Sequence, residues 1–344
     1  MHRLSVIALE APLTTDQFIA RHMRMPEPRG PLSGHVTEAL ASPVHRVAGH
    51  PEIGAHSLTD DDLHLALYLC YELHYTATDG VDPAWEWEPS LLEFRRAMED
   101  AFEKELIVGV PDAEGKVDIA STLEAIAQSD SGCVLGRNLE RNPSIERFKE
   151  FVMHRSAYQL KEADPHSWVI PRLGGKAKAA LIEIQSDEYG GGEAKSMHAV
   201  LFRDTMRALG LDDSYGAYVG RLPGVTLAGI NLMSLFGLHR RWRGAIVGHL
   251  ALFEMTSTEP NRRYGNALRK LGFGRDATHF YDEHVEADAV HEAIAAHDLA
   301  GSLALEEPDI AADIEFGARC LQHLDELWCS HVIEAWEHGR SSLL

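Results

Sequence analysis

The stretch DATHFYDEHVEADAVHEAIAAHDL, residues 276–299, carries His284, Asp288 and His291 at spacings of four and three residues. It holds no proline or glycine, and its Ala, Leu and Glu favour helix. At about 100° per residue, Asp288 lies about 40° and His291 about −20° from His284, so the three side chains leave one helix within a narrow arc. Two imidazoles and a carboxylate that converge on one point suit Fe(II), Mn(II) or Zn(II) and leave positions open on an octahedral ion. The chain has 20 histidines, so a polar helix face produced by chance is the competing reading. The other carboxylates and histidines must decide between the two.

The elements around this stretch read as helices. From Thr59, TDDDLHLALYLCYELHY predicts a capped helix with acidic residues in its first turn. Glu72 and His74 close it, about 200° apart, and cannot both face one ion. Glu72 reads as the polar edge of a core helix, with pocket lining as the alternative. SLLEFRRAMEDAFEKELI, VDIASTLEAIAQ and SIERFKEFVMHRSAYQLKEAD carry apolar residues at three- and four-residue intervals. The last is expected to stop at Asp164-Pro165, because a residue before proline disfavours helical angles, with Glu162 in its final turn.

The segment GGKAKAALIEIQSDEYGGG then predicts a helix broken by Gly190, Gly191 and Gly192, and EAKSMHAVLFRDTMRALGL resumes it. In an ideal helix Glu188 and His198 would stand about 80° apart in azimuth and about 15 Å apart in height. They can share a site only if the glycines bend or unwind the chain. Three glycines inside a helix cost roughly 2–3 kcal/mol, so a distortion or a close backbone approach is expected there, with an ordinary loop as the alternative.

Residues 225–272 predict two apolar helices and a shorter third, with Glu254 among apolar neighbours in GHLALFEMTS. A lone buried carboxylate is costly unless paired or metal-bound. EPDIAADIEFGARCLQHLDELWCSHVIEAWEHG predicts a long amphipathic closing helix whose His323, His331 and His338 cover the bundle. No strand alternation, repeat or low-complexity tract interrupts the pattern, so an all-α chain is expected. Its organisation reads as an irregular arm (1–57), an N-terminal helical region (58–138) and a helical bundle with the chemistry (139–344).

At 344 residues with 45% hydrophobic residues, the chain can bury a substantial core. Its 53 acidic against 32 basic residues, a formal charge of −21, repel nucleic acid and anionic membrane faces, so neither is an expected partner. The N-terminus lacks the apolar region of a signal peptide, and no apolar run approaches a membrane span. Four scattered cysteines (Cys70, Cys133, Cys320 and Cys329) without C-x-x-C spacing fit reduced thiols. A cytoplasmic protein is expected.

Glu162, Glu188, His198, Glu254, His284, Asp288 and His291 come from four helices, which is how a bundle builds a dinuclear centre in its core. Four carboxylates and three imidazoles are too many for one ion and suit two. Such ligation without thiolate favours iron or manganese over structural zinc. The paired Glu-x-x-His pattern of ferritin-like di-iron proteins is absent from the sequence.

Four blocks in order, KEADPH around Glu162, DEYGGGEAKSMH with Glu188 and His198, LALFEMTS with Glu254, and HVEADAVH with His284, Asp288 and His291, resemble the haem-oxygenase-like di-metal oxidases and oxygenases, known as iron-containing redox enzymes. The resemblance covers roughly residues 140–300. It implies a haem-oxygenase-like multi-helix bundle without haem, here with extra N-terminal helices, holding two Fe(II)/Fe(III) ions that assemble reversibly and activate O2. Glu162, a third glutamate ahead of the Glu188 helix, makes the pattern most similar to the N-oxygenating branch. Expected roles follow: Glu188 and His198 on one iron, His284 and His291 on the other or split between the two, Glu254 bridging, Asp288 terminal. Glu162 is a further carboxylate, and Glu162 and Glu254 also serve the reaction.

A small-molecule substrate and an external electron donor, such as a reductase, are the expected partners, since no nucleotide-binding motif is present. A homodimer is compatible with the sequence. The apolar helix VTLAGINLMSLFG and the glycine break are expected to line the cavity. The cluster His239-Arg240-Arg241-Trp242-Arg243 reads as a solvated patch or an interface, with carboxylate binding as the alternative, and Arg262 and Arg263 share that ambiguity. Competing readings are a ferroxidase-like iron-binding protein without organic substrate, a haem binder with one axial histidine, and a purely structural bundle.

Overall fold

A computed structural model describes residues 23–54, 58–76, 78–116, 118–129 and 134–344, without the side chains of Asp288 and Ala289. The readings made for residues 1–22, for Cys133 and for the Asp288 carboxylate therefore lie outside the described residues. Helices follow one another through the rest, and no strand forms among the described residues beyond an isolated parallel bridge between Met23 and Thr78. The fold is the all-α bundle that the sequence leads one to expect.

Ahead of the bundle come α1 (Pro31–Leu40), α2 (Asp61–Glu72), α3 (Pro89–Gly109), α4 (Ile119–Ser129) and α5 (Val134–Arg141). Asp60 caps α2 by accepting from the Leu63 amide at 2.7 Å, and Asp62 accepts from the Leu32 and Ser33 amides at the start of α1. One carboxylate-rich turn thus satisfies orphan donors of two helices. The bundle continues with α6 (Ile145–Gln159), the short α7 (Asp164–Ser167), α8 (Gly175–Glu188), α9 (His198–Ala208), α10 (Gly224–Leu238), α11 (Arg243–Lys270), α12 (Arg275–Ala293), α13 (Ser302–Glu306) and α14 (Ala311–Glu337).

Burial follows from composition. Helix α10, VTLAGINLMSLFG, is apolar all round and is buried on nearly every side. It packs against α2, α14 and α11, which ties the N-terminal helices to the bundle through one continuous core. Helix α11 is the hub, with α12 and α14 as its main neighbours and α4, α5 and α10 around it. Its crossing with α14 is set by glycine. A Cβ at Gly248 would lie 1.8 Å from the Ile314 carbonyl oxygen, and one at Gly317 would lie 1.9 Å from that of Ala245. The two backbones touch directly there, and no side chain fits between them.

Three local expectations need correction. Residues 243–270 form one helix and not two, because α11 runs through Pro260. Proline removes an amide from the helix interior and disturbs the turn before it. In that turn the Thr256 and Ser257 hydroxyls donate to the Leu252 and Glu254 carbonyls at 2.8 and 3.1 Å. The stretch 276–299 is not uniformly α either: beyond Ala293 it widens into a π-helix, Ile294–Gly301. Glu162 lies beyond the end of α6 and not in its last turn. Backbone angles turn left-handed at Ala163 (φ 71°), the sole non-glycine residue with positive φ among the described residues.

Gly248→Ala is expected to lower stability by about 3 kcal/mol, since the added methyl meets backbone and not a movable side chain. Gly229→Ala in α10 meets nothing within 4 Å and should be neutral or slightly stabilising. Urea titration of both variants checks the pair; equal stabilities would show that the crossing is not glycine-limited.

Candidate metal centre

Glu188 ends α8, and His198 opens α9. Between them Gly190, Gly191 and Gly192 all take positive φ (69°, 59° and 90°), so the chain unwinds and returns. Nothing larger fits at Gly190, where a Cβ would sit 2.6 Å from the Met197 nitrogen. The separation that a straight helix would impose collapses, and His198 Nδ1 stands 2.9 Å from Glu188 Oε2.

Helix α12 brings His284 and His291 to the same place from the other side. His284 Nε2 lies 3.5 Å from Glu162 Oε1, and its ring is 4.3 Å from that of His198. His291 Nδ1 lies 3.4 Å from Glu254 Oε2. Ligand atoms of Glu162, Glu188, His198 and His284 all fall within 4.8 Å of one another, and so do those of Glu188, Glu254 and His291. All six residues are buried. The carboxylate common to both groups is Glu188, where the sequence suggested Glu254, and the histidines divide as His198 with His284 and His291 alone.

These separations match a cation's requirements. Two ligands at about 2.1 Å from one ion and about 90° apart stand about 3 Å from each other. Glu162 Oε2 is buried with no hydrogen-bond partner among the described residues, a costly state that a cation relieves. Burial pushes the Glu162 and Glu254 carboxyls above the usual carboxylate range, against the pull of His284 and His291. Burial works against protonation of His291, but hydrogen bonds to Glu254 and Asp187 and the charge of Glu188 prevail and raise it to about 9. His291 of the metal-free centre therefore holds a proton at neutral pH, and an entering cation displaces it.

The outer contacts fix which nitrogens face inward. His284 Nδ1–H donates to the Phe280 carbonyl at 2.8 Å, which leaves Nε2 for a metal. His291 Nε2–H donates to Asp187 Oδ2 at 3.1 Å, which leaves Nδ1. Asp187 escaped the sequence reading; its only signal was its position beside Glu188 in DEYGGG.

The left-handed turn that carries Glu162 is held from both sides. On one side Lys161 forms a buried ion pair with Glu72 of α2, whose other oxygen accepts from the Tyr215 hydroxyl at 2.7 Å. Glu72 is thus an anchor and not a pocket wall. On the other side Gln185 Nε2 donates to the Ala163 carbonyl at 2.9 Å and to Ser167 Oγ at 2.7 Å, while the Tyr189 hydroxyl donates to Asp164 at 2.9 Å. Two residues of the α8 end therefore hold the turn that supplies Glu162.

A cavity of about 580 Å³ opens onto Glu162 and His284. Its walls include Phe151 and Arg155 of α6, the Pro260 region of α11, Tyr281 of α12 and Trp328 of α14. Arg155 lies over the Trp328 ring at 4.6 Å. Neither the glycine break nor α10 lines it, contrary to expectation; α10 borders a smaller cavity instead. Arg241 and Arg243 pair with Glu103 and Glu307 and stay out of the cavity walls, whereas Arg263 lines the large cavity while paired to Glu259. No described helix is long and apolar enough to cross a membrane.

A helical bundle that buries carboxylates and imidazoles from α8, α9, α11 and α12 beside a cavity has the ligand set of a metal-binding protein. The model of the family described as iron-containing redox enzyme matches residues 149–326, just over half of the chain and all seven candidate ligands, and the chain belongs to that family. A comparison with curated proteins finds no match.

Asp187→Asn removes the carboxylate behind His291 and is expected to weaken divalent-metal affinity by about 10–100-fold while the thermal melt of the metal-free protein stays put. Unchanged affinity by calorimetry would deny Asp187 that role.

Proposed function

We propose that this protein is an O2-dependent non-haem di-iron oxidoreductase acting on a small, amino-acid-derived organic substrate. The observation that carries the reading is the pair of ligand groups joined at Glu188, one of which faces the 580 Å³ cavity through Glu162 and His284. A cavity of that size suits a small organic molecule, for which a ferroxidase-like protein has no use. Glu162 as a third glutamate favours N-oxygenation of an amine over desaturation or C–C cleavage. Asp288, on the same helix as His284 and His291, is retained as a proposed terminal ligand.

When bound, two ferrous ions supply electrons and open coordination positions for O2 chemistry. The chain's own part is positional. Glu162, Glu188, His198 and His284 would hold one ion and Glu188, Glu254 and His291 the other, with Asp187 and the Phe280 carbonyl fixing two of the imidazoles. Phe151, Tyr281 and Trp328 give the cavity aromatic walls. Electrons to renew the ferrous state come from an external donor, a reductase in the cell.

Anaerobic Fe(II) titration is expected to reach about two ions per chain in unequal steps, because one group offers four ligands and the other three. Glu162, Glu254 and His291 hold protons above their ordinary ranges, so binding tightens as pH rises toward about 9 and releases protons. His284→Ala should lose the tighter step and O2 consumption together. Full iron loading and full O2 uptake in that variant would eliminate the centre.

A further inference from the structure

Two fully buried histidines have no place in the ligand set. His166 of α7 lines the small cavity formed by Glu162, Glu188, Glu254 and His284. Its Nε2 is 3.1 Å from Nδ1 of His249 on α11, and its own Nδ1 is buried without a hydrogen-bond partner among the described residues. His249 in turn lines a second cavity of about 50 Å³, together with His154 and Thr226. That volume holds one or two waters, and these three polar side chains offer them partners. Beyond it, His154 Nδ1 meets Thr226 Oγ1 at 2.7 Å, and its Nε2 meets Ser342 Oγ at 2.9 Å. The Ser342 hydroxyl donates to the half-buried Glu150.

Two core histidines could simply satisfy each other. That account explains neither the unpartnered His166 nitrogen nor why a polar pair stands where two apolar side chains would pack without desolvation. Burial lowers both imidazoles, so each stays neutral at physiological pH and can pass a proton without storing charge.

We infer that His166 and His249 form a proton relay between the carboxylate-lined cavity and the water-sized cavity beside His154, with Glu150 as its outer end. In one inward transfer a proton binds His249 Nε2. The proton on His249 Nδ1 passes to His166 Nε2, and the proton on His166 Nδ1 leaves into the ligand cavity. One proton enters and one leaves, both rings are neutral before and after, no electron moves, and reversal of the two tautomers resets the pair. The use of these protons rests on the proposed function: reduction of O2, with electrons from iron and the external donor, consumes them.

The first test needs no metal. In metal-free protein labelled with ¹⁵N-histidine, the relay predicts that the buried His166 ring proton exchanges with solvent far faster than backbone amides of the same helix bundle. It predicts that His249→Gln slows that exchange at least about tenfold. His154→Gln, across the water-sized cavity from the pair, should slow it too and guards against a His249 variant that fails to fold. With Fe(II) loaded, both variants should bind wild-type iron yet react with O2 more slowly, with a changed solvent isotope effect, and added imidazole should restore His249→Ala. Exchange at His166 that ignores both substitutions, or that follows global unfolding, overturns the relay. If the wild type takes up no iron, the proposed function fails while the exchange result still judges the relay. If iron oxidation is normal in both variants, the relay's use fails while the di-iron reading stands.

Discussion

Glu162, Glu188 and Glu254 lie buried in a helical core with the imidazoles of His198, His284 and His291 against them. Desolvating that many carboxylates is unfavourable, and the raised affinity of Glu162 and Glu254 for protons is the metal-free expression of that cost. A divalent cation offsets it more completely than a proton, because each carboxylate keeps its charge and gains a ligand bond. The rest of the fold can be understood as the means of holding these groups together against their mutual repulsion.

Backbone devices do most of that holding. The glycine run after Glu188 folds the chain back so that His198 meets it, and the left-handed Ala163 turns Glu162 inward. The buried Lys161–Glu72 pair binds that turn to α2, so a helix from the N-terminal region supports the turn that carries a candidate ligand. Removing one partner of such a pair leaves a charge stranded in the core, which typically costs about 3–5 kcal/mol. The direct contact of α11 with α14 at Gly248 and Gly317 fixes the helix that carries Glu254. Pro260 removes an amide from the same helix where it walls the large cavity.

Much of this was legible in the sequence, for definable reasons. Apolar residues at helical spacing gave the all-α class, and Asp60 with its acidic neighbours marked the start of α2. Carboxylates and histidines in apolar surroundings stood out because burial of such groups needs a partner. The glycine run pointed to a break that could unite Glu188 with His198. Properties that depend on distant contacts stayed hidden. The division of histidines between the two groups depends on how α12 lies on α9 and α11, and no local pattern encodes it. Asp187 looked like any exposed acid, and Lys161 and Glu72 are 89 positions apart. The walls of the cavity come from α6, α11, α12 and α14, whose convergence is a property of packing.

The central claim is that Glu188 joins two metal positions in one buried centre. Anomalous diffraction at the iron edge, from crystals loaded anaerobically with Fe(II), tests it most directly. Two peaks about 3.5–4 Å apart, one beside His198 and His284 and the other beside His291, with the Glu188 carboxylate between them, are expected. A single peak, or iron bound away from Glu188, would contradict the account.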